Sequence, residues 1–212
     1  MMIVKAFGAV LLVLAVLSGC TSVKPTASAP QDGQIEIASI DVSALQAAAN
    51  QGDLDAQFAL AQAYEVGNLG LPLDQDKAFH WYGKAAHAGY VPAQFFYGAM
   101  HASSRGTPLD IPGAIRWYRK AAEQNYPDAL YPMGYAYELG LGGLTVDWSQ
   151  ALYWYQKSAD AGSVFAYQRL AKAYRNGEFG LTPDEAQALL FDAKTKLNRG
   201  EELVSMPVGQ QK

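Results

Sequence analysis

Few residues of this 212-residue chain are of the types that do acid–base, metal or nucleophilic chemistry. The three histidines are His80, His87 and His101, and the seven-residue spacing of the first two places them near one face of a helix. A metal site needs at least one further ligand close by, and none is evident in the sequence. We therefore interpret His80 and His87 as solvated helix residues rather than as metal ligands.

Motifs of a serine hydrolase, a zinc protease or a phosphate-binding loop do not occur in the sequence. We therefore predict that the protein is not an enzyme and has neither catalytic residues nor a bound metal. A hydrolase with an unrecognised site is the alternative, because the members of a Ser-His-Asp triad converge only in space.

The single cysteine, Cys20, lies at the end of an N-terminal pattern that is typical of secretion. Lys5 precedes an apolar run that ends at Leu17. That run of about twelve residues is too short to cross a hydrocarbon core about 30 Å thick. The sequence Leu17-Ser18-Gly19-Cys20 resembles a bacterial lipobox, whose cysteine is acylated and becomes the mature N-terminus.

The lipobox resemblance implies a signal peptide over residues 1–19, a lipidated Cys20 and a flexible linker over residues 20–40. Two or more acyl chains give a stable membrane anchor, and this covalent lipid is the only cofactor expected. Inner-membrane lipoproteins often have Asp after the cysteine. Thr21 in that place favours the periplasmic face of the outer membrane in the bacterial cell envelope. The alternative is an ordinary signal peptide with an incidental cysteine.

The composition argues against several classes of protein. Half of the residues (50%) are hydrophobic and the net charge is only −4, which excludes an intrinsically disordered chain. The acidic balance also argues against nucleic-acid binding, because phosphate contacts need a basic surface. A single cysteine excludes a disulfide framework.

The rest of the chain is built from repeats. One alanine recurs at spacings of 37, 36 and 37 residues, and a Trp-Tyr pair recurs in the second half of three repeats. The alanines are Ala56, Ala93, Ala129 and Ala166, and the pairs are Trp81-Tyr82, Trp117-Tyr118 and Trp154-Tyr155. Within each repeat, apolar residues fall on one face of each of two helices. A period of this length predicts a solenoid of stacked helix pairs.

The motif at residues 114–122, Ala-Ile-Arg-Trp-Tyr-Arg-Lys-Ala-Ala, resembles the Sel1-like repeat, a relative of the tetratricopeptide repeat. This resemblance implies an all-α fold, a right-handed α-solenoid of helix-turn-helix repeats over residues 41–199. Four repeats would follow a half-repeat that caps the N-terminal end. Residues 200–212 are expected to form a disordered tail.

Several positions depart from the repeat pattern. The fourth repeat has Leu189-Leu190 where Trp-Tyr is expected, and Thr182 is predicted to cap its second helix. Pro132 lies inside the first helix of the third repeat, where it is expected to kink the helix unless the helix starts late. His101 stands where the other repeats have tyrosine, so we expect it to pack rather than to catalyse, with an altered loop after it.

The repeat resemblance also implies a binding site, because first helices line a concave groove in related proteins. Residues beside the packing positions would point into this groove: Phe58, Gln62, Glu65, Phe95, Ala99, Tyr131, Tyr135, Glu138, Gln168, Lys172 and Arg175. Tyr and Phe are favoured anchors at protein interfaces. The charges run from acidic to basic along this set, an order that would orient an extended peptide.

The sequence therefore predicts a lipid-anchored periplasmic adaptor that binds a protein partner of the envelope through this groove. It would attach to the membrane by its lipid and bind no nucleic acid. A tyrosine-lined groove would also stack on sugar rings, so a binding module for peptidoglycan or exopolysaccharide is an alternative. The aromatic rings would serve neither role if they pack against neighbouring repeats.

Overall fold

The computed structural model describes residues 41–200, and these form nine α-helices and no strand. The helices are α1 Val42–Asn50, α2 Leu54–Val66, α3 Gln75–His87, α4 Val91–Ser103, α5 Ile111–Glu123, α6 Pro127–Leu139, α7 Trp148–Asp160, α8 Val164–Asn176 and α9 Glu185–Asn198. Two 3-10 turns, Leu141–Gly143 and Glu178–Gly180, follow α6 and α8. The predicted signal peptide, Cys20, the linker and all of the predicted tail except Gly200 lie outside the described residues.

Each repeat is a pair of packed antiparallel helices, and successive pairs stack. The pairs are α2 with α3, α4 with α5, α6 with α7 and α8 with α9, and each second helix also packs against the first helix of the next pair. Helix α1 packs against α2 as a half-repeat. The all-α repeat fold predicted from the 37-residue period is thus confirmed.

Every second helix begins in the same way. An aspartate at the N-cap accepts a hydrogen bond from the backbone N–H three residues later, at 2.8–3.0 Å. The backbone N–H of the same aspartate donates to a carbonyl in the last turns of the preceding first helix, at 2.8–3.1 Å. These four residues are Asp74, Asp110, Asp147 and Asp184. The predicted cap at Thr182 is wrong, because Asp184 takes that position.

First helices end on a residue in the left-handed region. Gly67, Gly140 and Gly177 have φ of 67–69° at this C-cap, a conformation that glycine adopts without strain. In the second repeat Ser104 takes the same position at φ 56°. The altered loop expected after His101 is therefore a serine cap in place of a glycine cap.

The stacked helices approach closely where one side chain is small. Tyr155 of α7 is fully buried, and a Cβ added to Gly134 of α6 would lie 2.7 Å from its ring. Tyr82 of α3 is also fully buried, and the buried Ala61 occupies the matching position in α2. Large rings of second helices therefore pack over small residues of first helices, which fixes the spacing within a pair.

The second helix of the fourth repeat keeps an aromatic residue at the tryptophan position. This residue is Phe191, and the predicted alignment of Leu189-Leu190 with Trp-Tyr is wrong. Phe191 lies seven residues after the N-cap Asp184, as each tryptophan does after its own N-cap. Its ring stacks on Tyr174 at 5.8 Å and 17°. Leu189 and Leu190 are 43% and 48% exposed, so they do not replace the Trp-Tyr pair.

Pro132 does not interrupt its helix. Helix α6 begins at Pro127 and continues through Pro132 to Leu139. The helix does not start late, so the ring nitrogen of Pro132 leaves the carbonyl of Asp128 without its usual helical donor.

Candidate functional site

The predicted groove residues all lie on the four first helices, on the side that we call the first-helix face. Exposed members of the set are Tyr135, Gln168, Lys172 and Arg175. The others are half-buried, namely Phe58, Gln62, Glu65, Phe95, Ala99, Tyr131 and Glu138. The exposed members belong to the third and fourth repeats, so this half of the face is the more accessible to a partner.

Exposed rings gather where the third and fourth repeats meet. Phe165, in the first turn of α8, is 67% exposed, and its ring lies 5.9 Å from that of Tyr131. Tyr135 follows Tyr131 by one helical turn and is 45% exposed. Phe95 and Tyr131 line a hollow of about 550 Å³ together with Phe165. We call Phe95, Tyr131, Tyr135 and Phe165 the aromatic patch.

Phe165 was missed in the sequence analysis. The matching residues of the other repeats are Asp55, Pro92 and Asp128, at spacings of 37, 36 and 37. A large ring at a position that is otherwise polar or proline was the signal that could have identified it.

Phe58 belongs to the interior rather than to the surface. Its ring lies 5.4–5.5 Å from those of Tyr82, Tyr90 and Phe96. The interpretation that rings pack against neighbouring repeats thus describes Phe58 and also Phe95, whose ring lies 5.5 Å from that of Tyr118. Within the aromatic patch, Tyr135 and Phe165 are the rings that face solvent.

Glu138 is held by partners within the protein. The Tyr155 hydroxyl donates to its Oε2 at 2.6 Å, and Arg169 Nη2 donates to its Oε1 at 2.7 Å. Arg169 also pairs with Glu178 at 2.6 Å and lies over the Phe179 ring at 4.3 Å. Burial raises the pKa of Glu138, but the hydrogen bonds from Arg169 and Tyr155 outweigh burial and leave this pKa below its ordinary value.

Glu65 has the same kind of partners in the first repeat. The Tyr82 hydroxyl, again seventeen residues later, donates to its Oε2 at 2.6 Å, and Arg105 pairs with its Oε1. In the fourth repeat Arg175 pairs with Asp192 at 2.7 Å. These internal pairs largely neutralise the acidic-to-basic order that was predicted along the groove.

His101 takes a structural position, whereas His80 and His87 lie at exposed positions of α3. His101 is half-buried, with its ring edge-on to Phe79 and Tyr97 at 5.1 and 4.8 Å. Burial lowers the pKa of His101 and outweighs the opposing effect of Asp110. His87 Nδ1 lies 2.7 Å from the carbonyl oxygen of Gly83. Within residues 41–200, no three His, Cys, Asp or Glu side chains are grouped so that they could hold a metal ion.

None of the helices within the described part of the chain has the length and apolar character needed to cross a membrane.

Comparison with known proteins agrees with this geometry. The sequence matches the Sel1 repeat family in four consecutive segments, residues 54–90, 91–126, 127–163 and 164–191. These segments coincide with the four helix pairs. No curated protein matches the sequence.

Two solved structures are similar in both sequence and fold. A protective antigen of uropathogenic Escherichia coli with an SLR fold is 33% identical, with a TM-score of 0.70 over 76% of this chain. This chain spans only 34% of that antigen's length. A Sel1 repeat protein from Oxalobacter formigenes is 32% identical, with a TM-score of 0.63 over 74% of this chain and 70% of the other.

Sel1 repeats generally mediate protein–protein interactions, and proteins built from them are typically scaffolds rather than enzymes. The matched segments run without a gap from the start of α2 into α9. The chain therefore belongs to the Sel1 repeat family.

Proposed function

We propose that this protein is a lipid-anchored adaptor of the bacterial cell envelope that binds a protein partner through the aromatic patch. The observation that carries the proposal is the exposure of Phe165 and Tyr135, at 67% and 45%. Large apolar rings gathered on a surface mark interaction sites, and aromatic residues are enriched among the anchors of interfaces.

The patch is built on rigid elements. Tyr131 and Tyr135 project from α6, and Phe165 projects from the first turn of α8. Because the rings are held by packed helices, little conformational entropy is lost when a partner covers them. The hollow beside Tyr131 would accept an apolar side chain of the partner, and the exposed Gln168 and Lys172 would form part of a polar rim.

The anchor is the second part of the proposal. Acyl chains on Cys20 would hold the protein at the periplasmic face of the outer membrane, as Thr21 favours. A linker over residues 20–40 would reach at most about 70 Å when fully extended. The repeats would therefore remain tethered to the membrane and still reach a partner in the periplasm.

Site-specific photocrosslinking in intact cells tests the binding surface. The photoreactive residue replaces the exposed Gln168, which leaves the aromatic patch intact, and the control probe replaces the exposed His80 on α3. We expect one discrete heavier band from the Gln168 probe and none from the His80 probe. The band should disappear when Phe165→Ser is added, because the anchor ring is lost. A band from His80 alone would move the interface away from the first-helix face.

Carbohydrate binding is the second candidate, because exposed Tyr135 and Phe165 rings could also stack on sugar rings. Sedimentation with purified peptidoglycan separates the two functions. Binding that is lost in Phe165→Ser, with no protein adduct in cells, would replace the adaptor proposal with a glycan-binding one.

Fatty-acid labelling tests the anchor. Cys20→Ala should abolish labelling and move the protein from the membrane fraction to the soluble fraction, because no other cysteine can accept the acyl chain. A variant that still labels and still sediments with membranes would contradict lipidation at Cys20.

A further inference from the structure

The junction between the first and second repeats contains a tyrosine that ties the two repeats together. The ring of Tyr90 packs against that of Phe58 at 5.4 Å, and its hydroxyl donates to Asp55 Oδ1 at 2.6 Å. Asp55 lies in the first turn of α2, and Tyr90 directly precedes α4. One side chain of the later repeat therefore covers a ring of the earlier repeat and bonds to its first helix.

The junction between the second and third repeats keeps this tyrosine. Tyr126 directly precedes α6, 36 residues after Tyr90, and its ring lies 5.6 Å from that of Phe95. Phe95 in turn lies 37 residues after Phe58. At both junctions a tyrosine of the later repeat therefore packs against the matching ring of the earlier repeat.

The junction between the third and fourth repeats has a serine in place of the tyrosine. Ser163 directly precedes α8, 37 residues after Tyr126, and it borders the hollow beside Tyr131. Tyr131 takes the place of Phe95 in this repeat. The serine side chain is too short to cover the Tyr131 ring, and its Oγ instead accepts a hydrogen bond from the N–H of Ala166 at 3.4 Å.

The acceptor of the tyrosine hydroxyl is nevertheless present at this junction. Asp128 takes the place of Asp55 and precedes Ser163 by 35 residues. Asp55 precedes Tyr90 by the same 35 residues. Asp128 is exposed and lines the hollow, and within residues 41–200 no side chain donates a hydrogen bond to its carboxylate. The hollow therefore combines an uncovered ring with a carboxylate in the position that accepts a phenol in the first repeat.

We infer that the hollow receives a tyrosine side chain of the protein partner, which packs against Tyr131 and Phe165 and whose hydroxyl donates to Asp128. The incoming ring takes the place that Tyr90 has at the first junction. A phenol suits both parts of the site, because its ring is apolar and its hydroxyl needs an acceptor once it is buried. Tyrosine is also one of the residue types that dominate binding energy at interfaces. The inference rests on the proposed function and identifies the residue type that anchors the partner.

Ser163→Tyr tests the inference by filling the hollow from within. Tyr90, Tyr126 and Ser163 share φ of −68° and have ψ of 109–119°, so the backbone at this position accepts a tyrosine. The crosslinked band from the Gln168 probe should fall roughly tenfold or more, because the introduced ring occupies the hollow and bonds to Asp128. Ser163→Ala is the matched control. It also loses the cap of α8 but leaves the hollow open, so it should keep the band.

A small-molecule probe tests recognition in the absence of the partner. p-Cresol is the tyrosine side chain alone, and it should shift the amide NMR signals of Asp128, Ser163 and Phe165 saturably in the unaltered chain. Asp128→Ala should raise the concentration for half saturation by about fivefold, because the hydroxyl loses its acceptor. Asp76→Ala is the matched control, since Asp76 is also an exposed second residue of its helix, and it should leave that concentration unchanged.

Methylguanidinium is the comparison ligand, because an arginine of the partner would also pair with Asp128. Tighter binding of methylguanidinium than of p-cresol would overturn the inference and assign the hollow to arginine. A p-cresol titration without saturable shifts would overturn it as well. Binding of p-cresol that Asp128→Ala does not weaken would show that the hydroxyl is not recognised, and this result would also contradict the inference.

The two experiments separate this inference from the function on which it rests. A crosslinked band that persists in Ser163→Tyr would retain the adaptor function and overturn the inference, because the partner would then bind the aromatic patch outside the hollow. Saturable binding of p-cresol, with no crosslinked band from the unaltered chain, would support the pocket and contradict the adaptor function.

Discussion

At the scale of single residues, two glutamates of the first-helix face serve the fold. Glu65 and Glu138 each accept a tyrosine hydroxyl from the second helix of the same repeat and an arginine from outside that pair. A half-buried carboxylate is stable only when such partners replace its water. Both side chains are therefore structural ties between elements rather than free contacts for a partner.

Glu138→Gln should destabilise the protein by about 2 kcal/mol at pH 7, because it removes a charge-assisted pair with Arg169 and weakens the hydrogen bond from Tyr155. The pKa of Glu138 is below the ordinary 4.5 in the folded state. Its stabilising effect is therefore complete above about pH 4.5 and is lost as the pH falls through the lowered folded-state pKa. Urea unfolding at several pH values measures the difference between variant and parent, which should narrow in acid.

Glu123→Gln is the control for this measurement. Glu123 is exposed at the end of α5, so its change should stay within about 0.5 kcal/mol. Two results would mean that Glu138 is not held as an ion pair. One is an equal loss of unfolding free energy in the two variants. The other is a difference between Glu138→Gln and the parent that does not change with pH.

At the scale of elements, the N-cap aspartates set the register of the second helices. The side chain of each aspartate accepts a hydrogen bond from its own helix, and its backbone N–H donates a hydrogen bond to the preceding first helix. The aromatic position then follows seven residues later, which is how Phe191 is identified in α9. An Asp spaced by 36 or 37 residues is a better marker of the repeat than the Trp-Tyr pair, which is missing in the fourth repeat.

Asp147→Ala should destabilise the protein, because the N–H of Gln150 loses its acceptor at the start of α7. Asp160→Ala is the matched control at the other end of the same helix. An acidic residue is unfavourable near a helix C-terminus, so this control should be neutral or slightly stabilising. Thermal unfolding measures both variants. The melting temperature should fall for Asp147→Ala and should stay the same or rise slightly for Asp160→Ala. A loss at Asp160 as large as that at Asp147 would show that the cap is not the cause.

At the scale of the whole molecule, each repeat within residues 41–200 packs mainly against its neighbours in the stack. Stability in such arrays is a sum of the stabilities of the repeats and of the interfaces between adjacent repeats. Among the described helices, α1 packs mainly against α2, whereas α5 packs against both α4 and α6. The N-terminal end should therefore open more often than the middle.

Native-state hydrogen exchange should show this gradient, with amides of α1 exchanging at least tenfold faster than those of α5 and α6. Met133→Ala, in the middle, should lower protection throughout the array, since Met133 is fully buried between repeats. Leu45 is half-buried in α1, and Leu45→Ala should lower the protection of amides only at the N-terminal end. Uniform protection along α1 to α9 would instead indicate one all-or-none unit.

The sequence by itself determined the helical repeats and their number. Four copies of one pattern at 36 or 37 residues leave stacked helix pairs as the only way to bury the alanine and aromatic faces. The lipobox at Cys20 was equally a local signal, and it stays a prediction. Local patterns of this kind can be interpreted from the sequence because they depend only on residues that are close together in the chain.

Only the tertiary structure decided which side chains of the first helices are free. Glu138 meets Arg169 across 31 residues, and Glu65 meets Arg105 across 40. Phe58 is covered by rings of other helices, whereas Phe165 stays 67% exposed among the described helices. Exposure is set by the distances between stacked helices, and no pattern within one repeat encodes those distances.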